Sequence, residues 1–363
     1  MKFFDIRLKI VDRYIIRKFI GSYFFILILA ICIIVVFDIS ERIGKLTENN
    51  APLDAIIFDY YINFIPFFVN QFSPLFVFIT VIFFTSRMAY NTEIVAILAS
   101  GISFKRMMYP YFVSALFIAI LSLTLNLFII PPANEERQAF ENVYLKRPFY
   151  NTQENIHLQL QPNEFVYMSS YNTLSKSANR FSLERYEGNK LVSKLMSDRA
   201  VWDSTTNKWR MYNYFIRDMH EDGETHTKGG VLDTAILLTD FDLSSRDNVV
   251  QSMDYFELND YISRLEMRGS KAVQTAYIER YTRISMPFST FILTLIGVSL
   301  SSRKIRGGIG LQIGIGIGLS FAYIFFMQFS TILVDSLGAL LAVWIPNIIF
   351  AFIALYLYRM APK

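Results

Sequence analysis

The chain has 363 residues with a formal net charge of +4, and 53% of its residues are hydrophobic. That length would suit two soluble domains, but the apolar residues are gathered into long uncharged runs, which argues against an ordinary soluble protein. The single cysteine, Cys32, excludes an internal disulfide framework.

Six apolar runs are each long enough to cross a membrane, because about 20 residues span a hydrocarbon core of about 30 Å. In chain order they cover residues 19–37, 60–86, 107–130, 284–302, 307–334 and 336–358. The first run is too long for the apolar core of a cleaved signal peptide, so we expect it to remain as a span. The runs predict an α-helical membrane protein with six transmembrane helices. A polar, strand-like region between the third and fourth runs predicts an inserted all-β domain.

Basic residues are concentrated in alternate loops, and the opposite loops are acidic or long. The basic positions are Lys2, Arg7, Lys9, Arg13, Arg17, Lys18, Arg87, Lys105, Arg106, Arg303, Lys304, Arg306, Arg359 and Lys363. The positive-inside rule then predicts that both termini are cytoplasmic and that the β domain lies on the other side. The net positive charge is therefore an orientation signal, and no nucleic-acid partner is expected.

The connection between the second and third spans, NTEIVAILASG at residues 91–101, lies on the predicted cytoplasmic side. Asn91 is predicted to cap a short helix, Gly101 to end it and Ser103 to cap the third span. Glu93 is its one acid, which either complements the helix dipole or fixes a contact with a partner. The helix is more apolar than a solvated linker, which favours a partner. Its apolar residues are Ile94, Val95, Ile97 and Leu98.

The inserted region alternates in short runs that turn signals separate, at residues 187–189, 204–207 and 221–224. This spacing predicts an antiparallel sandwich or jelly roll. A helical stripe follows over residues 255–268, with Gly269 ending it. We therefore divide the chain into a first membrane half, a β domain, a connecting helix and a second membrane half. The boundaries are 1–132, 133–252, 253–283 and 284–363.

Motifs for catalysis or nucleotide binding are not found in the sequence. It contains no G-x-x-x-x-G-K-[ST] phosphate loop, so ATP hydrolysis is not expected of this chain. His220 and His226 lie near acidic residues, but a solvated hairpin tip explains them better than a metal site. No catalytic set of residues and no metal site is predicted.

Three glycines of the fifth span, Gly310, Gly314 and Gly318, fall at intervals of four on one helix face. The simpler interpretation is a packing seam of small residues. A sharper one is a smooth face that slides against a neighbour or admits a lipid.

Arg42 and Lys45, near the outer end of the first span, are three residues apart and share a helix face. They are either interfacial anchors whose side chains reach the headgroup region, or a docking point for a phosphorylated, anionic amphiphile. Both interpretations remain open from the sequence.

A family resemblance runs along the whole chain. TEIVAILASG (92–101) resembles the coupling helix of the lipopolysaccharide-export permeases LptF and LptG, and VDRYIIRKFI (11–20) resembles their amphipathic N-terminal helix. Similar stretches occur at 129–144, 164–168, 207–213 and 253–290, in the order and spacing of that family. The start at residues 11–15 and the A-S-G ending lean towards LptG.

The resemblance implies a non-catalytic permease subunit of an ABC transporter in the inner membrane of a double-membraned bacterium. Its partners would be a sister LptF/LptG-type subunit, a dimeric LptB-type ATPase that uses ATP and Mg²⁺, and LptC/LptA-type bridge proteins. Its cargo would be lipopolysaccharide, which the periplasmic jelly roll would pass to the bridge. No cofactor is expected on this chain.

The resemblance also assigns roles to individual positions. Glu93 matches the family's coupling glutamate, and we group Ile94, Ile97 and Leu98 with it as the ATPase-coupling surface. Arg42 matches a basic position that contacts the phosphorylated lipid head, and Lys45 is our addition. Spans one and five would line the cavity and its lateral gates, and we assign the glycine face of the fifth span to that gate. Val35 departs from the pattern, since some members carry a lysine there.

Two other functions fit parts of the sequence. The permease of another ABC exporter, such as a lipoprotein-release system, commonly has fewer spans. A membrane-anchored receptor or assembly scaffold would use the β domain for binding. That function gives no reason for an apolar cytoplasmic helix.

Overall fold

The computed structural model describes residues 9–145, 154–220, 222–244, 247–270, 272–302 and 308–361. The chain divides into two compact units, a membrane unit of Met1–Leu145 with Tyr277–Lys363 and a β unit of Lys146–Ala276. Several residues used in the sequence analysis lie outside the described ranges. They are Lys2, Arg7, Glu221, Arg303, Lys304, Arg306, Gly307 and Lys363.

The first part of the chain is helical. Its α-helices are α1 (Ile10–Glu48), α2 (Leu53–Ala55), α3 (Ile62–Gln71), α4 (Ser73–Tyr90), α5 (Glu93–Ala99), α6 (Phe104–Thr124) and α7 (Ile130–Phe140). Two π-helical segments, Ile56–Tyr61 and Leu125–Ile129, join α2 to α3 and α6 to α7, and a third, Glu141–Leu145, follows α7. Helix α1 runs for 39 residues and extends well beyond the predicted span at both ends.

The second span is broken, where the sequence predicted one continuous run. Phe72, with φ −101° and ψ 5°, separates α3 from α4. Pro74 in the first turn of α4 has no N–H to donate to the carbonyl of Asn70, and its ring disfavours helical geometry before it. The predicted second span therefore consists of two helices, α3 and α4, rather than one.

The β unit contains one antiparallel sheet of six strands in the described residues, each beside its neighbours in sequence. The strands are β1 (Glu154–Gln161), β2 (Glu164–Asn172), β3 (Ser177–Glu187), β4 (Lys190–Asp203), β5 (Lys208–His220) and β6 (Gly223–Thr234). The predicted turns at 187–189 and 204–207 join β3 to β4 and β4 to β5. Alternate side chains such as Met168, Phe181 and Trp209 form its core. The predicted fold class, six spans with an inserted all-β domain, is confirmed.

Two helices follow the sheet, α8 (Asp240–Ser244) and α9 (Tyr255–Met267), with a 3₁₀ turn at Asp247–Gln251 between them. The Asp254 side chain caps α9 by accepting from the backbone N–H groups of Phe256 and Glu257, at 2.7 and 2.8 Å. Gly269 follows the helix with φ +61°, as the sequence predicts for a residue that ends a helix.

The chain then returns to the membrane unit through α10 (Ala272–Ser301), α11 (Gly308–Ile332), α12 (Val334–Leu337) and α13 (Ala339–Met360). In the described residues, six helical segments are long and apolar enough to cross a membrane. Helix α4 packs among them, and its Phe78 and Ile82 belong to one buried cluster with Leu293, Tyr323 and Phe350.

Candidate functional site

Helix α5 is tightly bounded at both ends. Asn91 is the C-cap of α4, donating its N–H to Arg87, so Thr92 rather than Asn91 precedes α5 as its N-cap residue. Thr92 adopts φ +62° and makes no side-chain cap. The predictions for the other end are confirmed. Gly101 has φ +86° and donates to the Leu98 carbonyl at 3.1 Å, and the Ser103 hydroxyl accepts from the Arg106 N–H at 3.3 Å.

The apolar residues of α5 divide between the core and the surface. Ile94 is 1% exposed and joins the buried cluster of the membrane unit, and Ile97 and Leu98 pack partly against it. This corrects the expectation that Ile94 belongs to a surface for a partner, because the side chain points into its own chain. Val95, 59% exposed, is the large apolar side chain that α5 presents outward.

Glu93 is held by α1. The Tyr14 hydroxyl donates to its Oε2 at 2.7 Å, and the Lys18 Nζ lies 3.3 Å from the same oxygen. The Lys18 ammonium also lies 4.4 Å from the centre of the Tyr14 ring. Partial burial opposes ionisation of Glu93, but the hydrogen bond from Tyr14 and the charge of Lys18 outweigh it, so the pKa of this carboxyl is below its usual range. The group is therefore a carboxylate at neutral pH.

A second contact joins α1 to the start of α6. The two terminal amino groups of Arg106 donate to the two oxygens of Asp12 at 2.8 and 2.6 Å, in a bidentate pair. The Asp12 side chain is only 4% exposed, and it also accepts from the backbone N–H of Lys9 at 2.9 Å. Sequence reasoning missed both contacts of α1, because no periodic pattern connects residues so distant in the chain.

Arg42 is part of a polar cluster near the C-terminal end of α1. Its Nε donates to Asp38 at 2.8 Å, one helical turn away. The hydroxyls of Tyr60 and Tyr61 donate to the same carboxylate at 3.3 and 3.1 Å. The two terminal amino groups of Arg42 have no hydrogen-bond partner among the described residues. Its position is therefore fixed through Nε while the opposite edge of the guanidinium stays free to bind an anion.

Lys45 does not join this cluster. Its side chain is exposed and forms no ion pair in the described part of the chain. The structure thus separates the two residues that the sequence placed together, giving one a fixed orientation and leaving the other solvated.

The glycine face of α11 makes no close contact with another side chain in the part of the chain that the structure describes. A Cβ added at Gly310, Gly314 or Gly318 would meet nothing within 4 Å. Close packing uses other glycines instead. A Cβ at Gly297 would lie 2.8 Å from Val81 Cγ1, and one at Gly316 would collide with Ile82. The predicted seam therefore faces outward, and its role against a neighbour or a lipid stays a prediction.

A buried network of side-chain amides links α3, α6, the Leu125–Ile129 segment and α10 within the membrane unit. The Asn70 amide donates to Asn126 at 2.7 Å and accepts from the Ser122 hydroxyl at 2.6 Å, and Asn126 donates to the backbone carbonyl of Arg283 at 3.4 Å. Asn70 and Ser122 also line a cleft of about 240 Å³ between α1, α3 and α6. The sequence analysis did not predict this network, because its residues lie within long apolar runs.

The fold and these contacts define a polytopic membrane protein with an inserted β domain. The family model described as lipopolysaccharide export system permease LptF/LptG matches residues 13–360, so the chain belongs to that family. Membership assigns it to the permease part of a lipopolysaccharide-export ABC system and to the inner membrane. The match does not separate LptF from LptG. A search of curated proteins found no match.

Proposed function

We propose that this chain extracts lipopolysaccharide from the inner membrane and passes it to periplasmic bridge proteins, driven by a separate ATPase that docks on α5. The proposal is carried by one combined observation. A family match over residues 13–360 coincides with a short helix between two spans, and an ionised carboxylate lies at its first position. Both termini and α5 would be cytoplasmic and the β unit periplasmic.

Roles follow for the other sites. Arg42 would bind a phosphate of the lipid head through its free edge, with the nearby Lys45 adding charge. The edge strands β1 and β6 would accept bridge proteins of the LptC/LptA type by strand addition. The outward glycine face of α11 would meet the lipid or a sister subunit. ATP and Mg²⁺ would bind to the dimeric LptB-type ATPase.

The first experiment is gentle purification of the tagged chain from native membranes, followed by mass spectrometry. We expect an ABC ATPase and a second six-span subunit with a β domain, in a fixed ratio. Recovery of the chain without an ATPase, in several mild detergents, would contradict the proposal and favour a receptor or scaffold.

Glu93→Arg tests the docking site directly. The substitution places a cation beside Lys18 and removes the anion available to a basic partner, so the ATPase should be lost or uncoupled while the two permease subunits still co-purify. Glu136→Arg, which makes the same charge change on the exposed face of α7, is the matched control and should retain the ATPase. Normal ATPase association and transport in Glu93→Arg would remove this residue from the mechanism.

Arg42→Glu tests the lipid contact. Reversing the charge should weaken photocrosslinking of lipopolysaccharide to probes in α1, because the headgroup phosphates would be repelled. Arg13→Glu makes the same change at the other end of α1 and should crosslink normally. Equal crosslinking in both variants would favour the interpretation of Arg42 as a simple interfacial anchor.

A further inference from the structure

The loop that carries α5 is fastened to one helix at both of its ends. On the α5 side, Tyr14 and Lys18 hold Glu93. On the α6 side, Asp12 holds Arg106 through two hydrogen bonds. Asp12, Tyr14 and Lys18 all lie within the first turns of α1. One short segment of α1 therefore contacts both ends of the connection between α4 and α6. We call these contacts the α1 clamp.

Apolar side chains of the same helices also share one buried cluster. Ile94 of α5 and Met107 of α6 belong to the same buried cluster as Ile15 and Phe19 of α1. Ile15 and Phe19 are fully buried. The clamp thus combines two polar contacts with a buried apolar cluster to which α1, α5 and α6 all contribute.

The Asp12–Arg106 pair is the firmer of the two polar contacts. Its carboxylate is only 4% exposed and accepts from both terminal amino groups of Arg106, so opening the pair would remove two charge-assisted hydrogen bonds at once. The Glu93 contact is more exposed, with about a quarter of the glutamate side chain accessible. A partner can therefore reach Glu93 while the ion pair keeps the loop attached.

Helix α1 can carry a displacement over a long distance. It contains no proline and stays α-helical from Ile10 to Glu48. From residue 12 to residue 42, at 1.5 Å per residue, the distance along the helix is roughly 45 Å. The same rigid element therefore joins the clamp to the Arg42 cluster.

We propose that the α1 clamp transmits movement of α5 to α1, with Asp12, Arg106, Tyr14 and Lys18 as positioning residues that couple the ATPase contact to the lipid contact. This inference rests on the proposed function. In this mechanism, the ATPase docks at Glu93 and moves the loop that carries α5. The Asp12–Arg106 ion pair then transmits this movement to the whole of α1.

The test uses the complete transporter, with its sister subunit and ATPase, in lipid nanodiscs loaded with lipopolysaccharide. Asp12→Asn keeps an acceptor for the Lys9 N–H but removes the charge, and Arg106→Ala removes the other partner. Lys105→Ala and Arg13→Ala change exposed neighbours and serve as controls. The quantities measured are complex assembly, the rate of ATP hydrolysis and the amount of lipid released per ATP.

We expect both clamp variants to assemble and to hydrolyse ATP within about twofold of the wild type, while lipid release per ATP falls about tenfold, a coupling of ordinary size between linked sites. The double variant Asp12→Arg with Arg106→Asp should recover most of that ratio. Tyr14→Phe, which deletes one hydroxyl, should lower the ratio in the same direction but less.

Two results would overturn the inference. One is an unchanged ratio of lipid released to ATP hydrolysed in the assembled single variants. The other is a loss of assembly that the charge-swapped double variant restores without restoring the ratio, since the pair would then be purely structural. A wild-type chain that binds no ATPase or releases no lipid would instead contradict the proposed function itself, so the two failures are distinguishable.

Discussion

Two charged side chains of the membrane unit, Glu93 and Arg42, are fixed by specific partners. Glu93 gains a hydroxyl and an ammonium from α1, and Arg42 gains a carboxylate that two tyrosines also bind. Each pairing leaves part of the functional group accessible. Under the proposed function, each charge would be oriented before its partner arrives, which would lower the conformational cost of binding.

The lowered pKa of Glu93 predicts how the α1–α5 contact responds to pH. A carboxyl whose pKa is lower in the folded state adds stability that is complete above its ordinary value of 4.5 and is lost as pH falls through the lowered value. Glu93→Gln should therefore melt below the wild type at neutral pH, and the gap should shrink as the pH falls below about 4. Thermal melting of both proteins in detergent, at a series of pH values, measures this difference.

Glu136→Gln is the control for this titration, because Glu136 is exposed on α7. The variant protein should melt like the wild type at every pH. A gap between wild type and Glu93→Gln that stays constant from neutral pH to pH values near 3 would show that the charge of Glu93 contributes nothing.

The amide network makes a second prediction at this scale. Asn70→Leu leaves the Ser122 hydroxyl and the Asn126 carbonyl without their partner in an apolar environment, so it should cost about 1 to 2 kcal/mol of stability. Thr124→Val removes a hydroxyl that bonds only within its own helix on the exposed face of α6, and it should change stability by less than about 0.5 kcal/mol. Equal melting temperatures for the two variants would contradict the structural role of Asn70.

At the scale of elements, the broken second span illustrates what an apolar run conceals. Hydropathy predicts one helix over residues 60–86, because a hydropathy scale does not register whether a residue has a backbone N–H to donate. The interruption at Phe72 follows from the missing N–H of Pro74, and the sequence does contain that signal. The π segment at Leu125–Ile129 has no comparable signature in the sequence.

Glycines on neighbouring helices should behave differently when substituted. Gly297→Ala places a methyl group 2.8 Å from Val81, which is fully buried, and should destabilise the chain by about 1 to 3 kcal/mol. Gly314→Ala meets open space and should stabilise α11 by up to about 1 kcal/mol in the isolated chain. Denaturation of the purified chain in detergent measures both effects, and equal effects would contradict the assigned packing.

Gly314→Leu extends this comparison to function. A larger side chain on the outward face should leave the isolated chain stable but impair lipid export in cells, if that face meets a lipid or a sister subunit. Export at the wild-type rate would show that the face serves neither purpose.

At the scale of the whole molecule, local patterns predicted most of the architecture. The six spans, the hairpin turns, α9 and its final Gly269 follow from periodicities and turn chemistry that neighbouring residues carry. The contacts at the sites were not predictable in this way. Asp12 and Arg106 are brought together only by the packing of α1 on α6, and a single sequence contains no signal for such a pair.

The proposed orientation can be tested with single cysteines in a Cys32→Ala background. Asn207→Cys, in the exposed turn of the β unit, should react with a membrane-impermeant maleimide in cells whose outer membrane is permeabilised. Ser100→Cys, at the end of α5, should react only after the inner membrane is disrupted. The reverse labelling pattern would contradict the proposed orientation and indicate the opposite one.

The link between Asn126 and the carbonyl of Arg283 also bears on how the protein is made. Its two partners are 157 positions apart, and the sequence of the β unit lies between them. At ordinary translation rates, the ribosome needs on the order of ten seconds to synthesise that interval. During this time the first three spans are already in the bilayer with an amide awaiting its acceptor. The nascent chain therefore spends that interval without this hydrogen bond, which can form only after α10 has been synthesised.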